Sequence, residues 1–122
     1  MTVLQKYIKH LLKFKGINPR YSDVMIAILD EYKITCINQN KLEFTLTRSG
    51  KENVAGATGL SVSRINHILS DFVKAGLIKR ISNGTYELNK NFFCCNEFNQ
   101  IKEIRANYDY ITKAVSVKFV SA

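Results

Sequence analysis

Residues 51–70 read KENVAGATGLSVSRINHILS, and the reading of this stretch decides the fold. Ala55 is small where two helices would pass nearly in contact. Gly59 follows where the chain must reverse, and a residue without a Cβ takes positive φ there freely. Leu60, Ile65 and Ile68 are spaced to bury the turn and the inner face of a second helix. Ser61 stands where an N-cap is needed. Ser63, Arg64, Asn66 and His67 are left outside, all of them hydrogen-bonding side chains. The pattern is that of a helix-turn-helix, a pair whose second helix characteristically enters a DNA major groove.

Working outward, Ser49 is expected to cap the first helix of the pair, with Glu52 as its reciprocal capping-box partner. That helix then starts at Gly50 or Lys51 and ends near Thr58. The second is expected over Val62–Lys74, with Val62, Ile65, Ile68, Leu69, Phe72 and Val73 inward and Gly76 just past its end. Leu77–Ser82 and Thr85–Leu88 flank Asn83-Gly84, a strong hairpin signal because both residues accept positive φ. Upstream, Leu42, Phe44 and Leu46 alternate with Glu43 and Thr45, which predicts a half-buried strand over Lys41–Thr47. Asn38, Gln39 and Asn40 suggest a polar turn. Ser22 is expected to cap a helix from Asp23 to about Tyr32, and Val3–Phe14 a first amphipathic helix closed by Gly16 and Pro19.

This order of helices, strand, helix pair and hairpin predicts an α+β, mainly α fold: a winged helix-turn-helix with a two-stranded wing. The whole of 1–122 is read as one domain, with a core at about 21–93 and terminal extensions at 1–20 and 94–122. In the second extension, Ile101, Ile104 and Tyr108 suggest a helix over Phe98–Tyr110, and Val115, Val117 and Phe119 a strand.

The chain of 122 residues carries a formal charge of +8, which favours a polyanionic partner, nucleic acid first. It contains no apolar run of membrane-spanning length, and charges throughout the N-terminal apolar stretch argue against a signal peptide. Cys36, Cys94 and Cys95 are read as reduced thiols of a cytoplasmic protein, with a redox switch at Cys94-Cys95 as the alternative. Neither His10 nor His67 joins a Cys/His cluster, so no metal is expected. No phosphate-binding glycine loop or nucleophile–base arrangement suggests an enzyme, a catalytic residue or a cofactor.

The expected partner is therefore double-stranded DNA. Ser61, Ser63, Arg64, Asn66 and His67 are the candidates for base edges. Arg64 can make two hydrogen bonds to guanine and Asn66 two to adenine. Arg48, Lys51, Lys79, Arg80 and Asn83 are the candidates for phosphates, Arg48 and Lys51 because a helix start also favours an anion. One such domain reads a short site, so a homodimer is expected, with Val3–Phe14 and Phe98–Tyr110 as candidate contacts; the alternative for both is the ordinary role of closing the chain's own core.

Residues from about Tyr21 to Phe93 resemble the winged-helix core of the RepL-type plasmid replication proteins. VAGATGLSVSRINHILSDFVKAGLIKR is similar to that family's recognition segment. ISNGTYELNKNFF resembles its wing and the asparagine-rich turn that leads into an apolar pair, and LEFTLT resembles the preceding strand. The resemblance implies binding to a plasmid origin or its control region, no catalytic centre, and contact with host replication proteins. A transcriptional repressor of the same fold and a winged helix used only for protein contacts are the alternatives.

Overall fold

The computed structural model describes residues 2–38, 40–93 and 101–121. Helix α1 (Val3–Phe14) opens on a capping box: the Gln5 amide donates to Thr2 Oγ1 at 3.1 Å, and the Thr2 amide to Gln5 Oε1 at 2.8 Å. Tyr7, Ile8, Leu11 and Leu12 form its buried stripe. A single 3₁₀ turn (Pro19–Tyr21) leads directly into α2 (Ser22–Thr35). Ser22 lies inside the helix and is buried, and Tyr21 is the N-cap without a side-chain hydrogen bond, so the expected Ser22 cap is corrected. The 3₁₀ turn already gives the Ser22 amide an acceptor, the Pro19 carbonyl.

Strand β1 (Cys36–Asn38) follows and pairs antiparallel with β2 (Glu43–Thr45). Asn38 therefore ends a strand, where a polar turn was expected over Asn38–Asn40; Gln39 lies outside the described residues. Leu42, Phe44 and Leu46 all point inward, as the alternation predicts, yet only the middle of the expected strand is regular. Leu42 takes the left-handed conformation (φ 54°), so its carbonyl accepts from the Leu88 amide from outside the strand.

Helix α3 (Arg48–Thr58) begins before Ser49, and its N-cap, Thr47, makes no side-chain cap bond, so the Ser49–Glu52 capping box does not form. Instead Glu52 meets Arg48 at 3.3 Å, one turn away. The buried carboxylate of Glu31 lies against Gly50 in the first turn and accepts from Asn53 Nδ2 at 2.8 Å. A negative charge at this end suits the helix dipole. A Cβ on Gly50 would meet Leu46 Cδ1 at 3.1 Å, which is why α3 can lie this close.

Gly59 ends α3 at φ 74°, and its amide and that of Leu60 both donate to the Ala55 carbonyl. Ser61 then caps α4 (Val62–Lys74), accepting from the Arg64 amide at 3.1 Å. Ile65, Ile68, Leu69 and Phe72 are buried, while Val73 lies at the exposed margin of the apolar side. Gly76, at φ 78°, closes α4.

Strands β3 (Ile78–Ser82) and β4 (Thr85–Leu88) form the expected hairpin, and β2 joins its other edge, giving the antiparallel order β1-β2-β4-β3. The hairpin is thus part of a four-stranded sheet and not a free two-stranded ribbon. At its tip Gly84 alone has positive φ, so Asn83 does not use the freedom expected of it. Asn89 then ties the chain back: its amide donates to the Leu77 carbonyl, its side chain to the Gly76 carbonyl, and its own carbonyl accepts from Phe92 and Phe93. Both rings are buried as a result.

Residues 101–121 form strands β5 (Ile101–Asp109) and β6 (Ala114–Ser121), a two-stranded antiparallel hairpin. The expected helix over Phe98–Tyr110 is therefore wrong from Ile101 onward, and residues 98–100 lie outside the described part; the strand expected around Val115, Val117 and Phe119 is present. The hairpin packs on α1 through aromatic contacts, Tyr7 on Phe119 at 5.7 Å and Phe14 on Tyr108 at 4.9 Å. Cys36 is a half-buried free thiol, and Cys94 and Cys95, with the redox switch considered for them, lie outside the described residues. No described helix is long and apolar enough to cross a membrane.

Candidate nucleic-acid interface

The capping of α4 by Ser61 and the burial of Ile65, Leu69 and Phe72 fix which residues face outward. Ser63, His67, Ser70 and Lys74 follow one another at three- and four-residue steps on the side opposite the core, and all are exposed. Asn66 and Arg64 are exposed on the two flanks of this ridge. Asn66 faces the β3–β4 hairpin. Arg64 faces the corner between α1 and α2, where it donates from Nη2 to the Tyr21 hydroxyl with its guanidinium 5.4 Å from the ring centroid.

Between α4 and the hairpin runs an open groove made of two adjoining hollows, of about 530 and 390 Å³. Lys51, Asn66 and Asn83 line both; Arg48 adds to one, Ser70 and Arg80 to the other. Three elements converge here: the first turns of α3, the exposed flank of α4, and the hairpin tip. Arg80 is held at the tip by Asn83, whose Oδ1 accepts from Nη2 at 3.2 Å. None of the residues lining either hollow is acidic. The Arg48–Glu52 pair is a surface contact with the arginine side chain 89% exposed, so it restrains Arg48 only weakly.

Of the residues singled out from sequence, Arg48, Lys51, Asn66, Arg80 and Asn83 are brought together. Ser61 is committed to capping. Ser63 and His67 lie on the ridge beside the groove. Lys79 is not in the cluster: it is registered opposite Glu87, which in turn faces Glu43, on the other face of the sheet from Arg80. Ser70 and Lys74 belong to the ridge and were missed, although continuing the helical step from Ser63 and His67 would have reached both. Tyr21 was also missed, and with 43 residues between it and Arg64 no local pattern could reveal it.

Among the described residues, no three His, Cys, Asp or Glu side chains are arranged to hold a metal ion. Hydrogen bonding to Arg105, and then its charge, holds the Glu103 carboxyl low; backbone and side-chain bonds to Thr112 do the same for Asp109. Burial pushes the Tyr108 phenol up to about 12. No known family, curated protein or solved structure was found to match the chain.

Proposed function

We propose that this chain is a winged helix-turn-helix protein that binds double-stranded DNA in a sequence-specific manner. The α4 ridge enters the major groove with Ser63, Asn66, His67 and Arg64 toward base edges, and the β3–β4 hairpin acts as the wing. The observation that carries this reading is the groove between them. It gathers Arg48, Lys51 and Arg80 with no carboxylate in its lining, beside a helix face composed of hydrogen-bonding side chains. That arrangement lets cations meet the sugar-phosphate backbone while the ridge reaches the bases.

The biological setting we propose, initiation of plasmid replication or its control, rests on the resemblance of residues 21–93 to the RepL-type proteins. The asparagine-rich turn supports it to this extent: Asn89 is what returns Phe92 and Phe93 to the core, so the turn and apolar pair form one structural device. Binding over a promoter in place of an origin would make the same fold a repressor.

The test is selection of bound duplexes from random DNA, followed by titration at several salt concentrations. Each neutralised phosphate steepens the log–log dependence by about 0.9, so the three groove cations alone predict a slope near −2.7. Binding without sequence preference, or unaffected by salt, would refute the reading. Mapping the selected sequence to an origin or to a promoter separates the two settings.

A further inference from the structure

We infer that Tyr21, outside the helix pair and on the α1–α2 corner, is a positioning residue that sets the base specificity of Arg64; the inference rests on the DNA-binding reading above. The corner is built to be stiff. Pro19 fixes its own φ, Asn18 Oδ1 accepts from the Arg20 amide at 3.0 Å, and the Tyr21 amide donates to the Asn18 carbonyl at 3.0 Å. The half-buried Tyr21 ring is thereby anchored at the start of α2, and its hydroxyl reaches across to α4.

Arg64 would otherwise be a long, freely rotating side chain on an exposed helix flank. Tyr21 holds it twice, by the hydroxyl bond to Nη2 and by the ring beside the guanidinium. Among the described residues no ion pair competes for it; Asp71, on the same flank of α4, faces the hollow that Tyr21 and Lys74 also line. The bond uses one of the five N–H groups of the guanidinium, and a two-bond contact to guanine needs only two of the remainder. A side chain already ordered before binding loses less freedom on complex formation, so the tether favours the one base pair Arg64 meets.

The experiment compares wild type, Tyr21→Phe, Arg64→Ala and the double variant on the selected duplex and on duplexes altered one base pair at a time. Tyr21→Phe keeps the ring and removes only the hydroxyl. It is expected to weaken binding to the selected duplex about three- to tenfold, to narrow discrimination at the same base pair as Arg64→Ala, and to have no further effect once Arg64 is gone. An unchanged affinity, a tighter complex, or an equal loss in the Arg64→Ala background overturns the proposal. A second measurement needs neither variant nor DNA. In the free wild-type protein, the Arg64 Nε–Hε group should show an NMR order parameter above about 0.6; a value as low as that of an unrestrained surface arginine overturns the proposal. If the wild-type protein binds no duplex, the DNA reading falls and the specificity role falls with it. An ordered Arg64 in the same sample would then locate the failure in the reading and not in the geometry.

Discussion

The molecule contains two β-hairpins that differ in what holds them. The β3–β4 hairpin has strands of five and four residues, pairs with β2, and buries Ile78, Tyr86 and Leu88 in the core. The β5–β6 hairpin is nearly twice as long, at nine and eight residues, but forms its own two-stranded sheet. Its inner residues Ile104, Ala106, Tyr108, Val115, Val117 and Phe119 are only partly buried, against α1. Length is therefore a poor guide to stability here. The shorter hairpin is fixed by neighbours on one edge and one face, whereas among the described residues the longer packs mainly on α1. The shorter one also carries the candidate function, which needs a rigid support.

The largest difference should appear in core truncation. Leu88→Ala removes a fully buried side chain and is expected to cost about 2–5 kcal/mol, a large share of a typical domain's stability. Val117→Ala, at the matching place in the second hairpin, removes a half-exposed side chain and should cost about 1 kcal/mol. Urea denaturation measures both. Native-state amide exchange sharpens the contrast: β5–β6 amides should open at lower free energy than those of β4. Equal costs and equal protection would mean that the two hairpins are equally integral.

The same contrast shows what the amino-acid sequence made legible. The first hairpin was readable because Asn83-Gly84 interrupts two short runs, and Gly84 does occupy the left-handed region there. The ridge on α4 was readable because Ser61, Gly59 and the buried isoleucines fix its phase. The second hairpin was misread because Ile101, Ile104 and Tyr108 fit a helical step, while Ile104, Ala106 and Tyr108 fit a strand equally well. The tie is broken by a partner strand rich in valine, AVSVKFVS, which becomes visible only once the two are paired. Capping failed in a related way. Ser22 and Ser49 have the right chemistry, but Ser22 follows a local 3₁₀ turn whose Pro19 carbonyl already takes its amide, and α3 begins before Ser49, with the buried Glu31 lying against its first turn as a tertiary contact.

Charge should separate the hairpins next. Lys51→Ala with Arg80→Ala removes two groove cations and is expected to flatten the salt dependence of DNA binding by about 1.8, lowering affinity for every duplex alike. Lys102→Ala with Lys118→Ala removes two exposed cations from the far hairpin and should leave the slope as it was. Lys79→Ala, registered against Glu87 on the opposite sheet face, should have less effect than Arg80→Ala. A loss from the far hairpin as large as that from the groove would show that both hairpins face the duplex.

The connections offer a smaller and reciprocal test. Gly84 and Lys113 both adopt left-handed backbone, at φ 80° and φ 60°. Gly84→Ala places a Cβ in a disfavoured conformation and should cost about 1 kcal/mol, whereas Lys113→Gly relieves one and should gain up to about 1 kcal/mol, less what the freer unfolded chain takes back. Thermal melts that show the same sign for both would contradict the assigned backbone.

The last contrast concerns one hydroxyl under the second hairpin. Tyr108 Oη is buried and has no hydrogen-bond partner among the described residues. Its pKa is raised to about 12, first by burial and then by the charge of Tyr110, so the folded state holds the proton more tightly than an unfolded chain titrating near the ordinary value of 10. The raised folded pKa leaves the hydroxyl's effect on stability constant below about pH 10 and lowers stability further as the pH climbs towards 12. Tyr108→Phe removes both the orphaned group and the titration. At neutral pH it should stabilise the protein by about 1 kcal/mol, since an unpaired buried hydroxyl is costly. Between pH 10 and 12 its advantage over wild type should widen, because only the wild type carries this added pH-dependent loss. The comparison between the two proteins cancels the alkaline titration of the other tyrosines, Tyr32 included, whose phenol burial also pushes upward. Urea titrations at pH 7 and pH 11 decide it. A Tyr108→Phe protein less stable at pH 7 would mean that the hydroxyl is bonded after all, and the second hairpin would then be fastened to the body more firmly than its half-buried face implies.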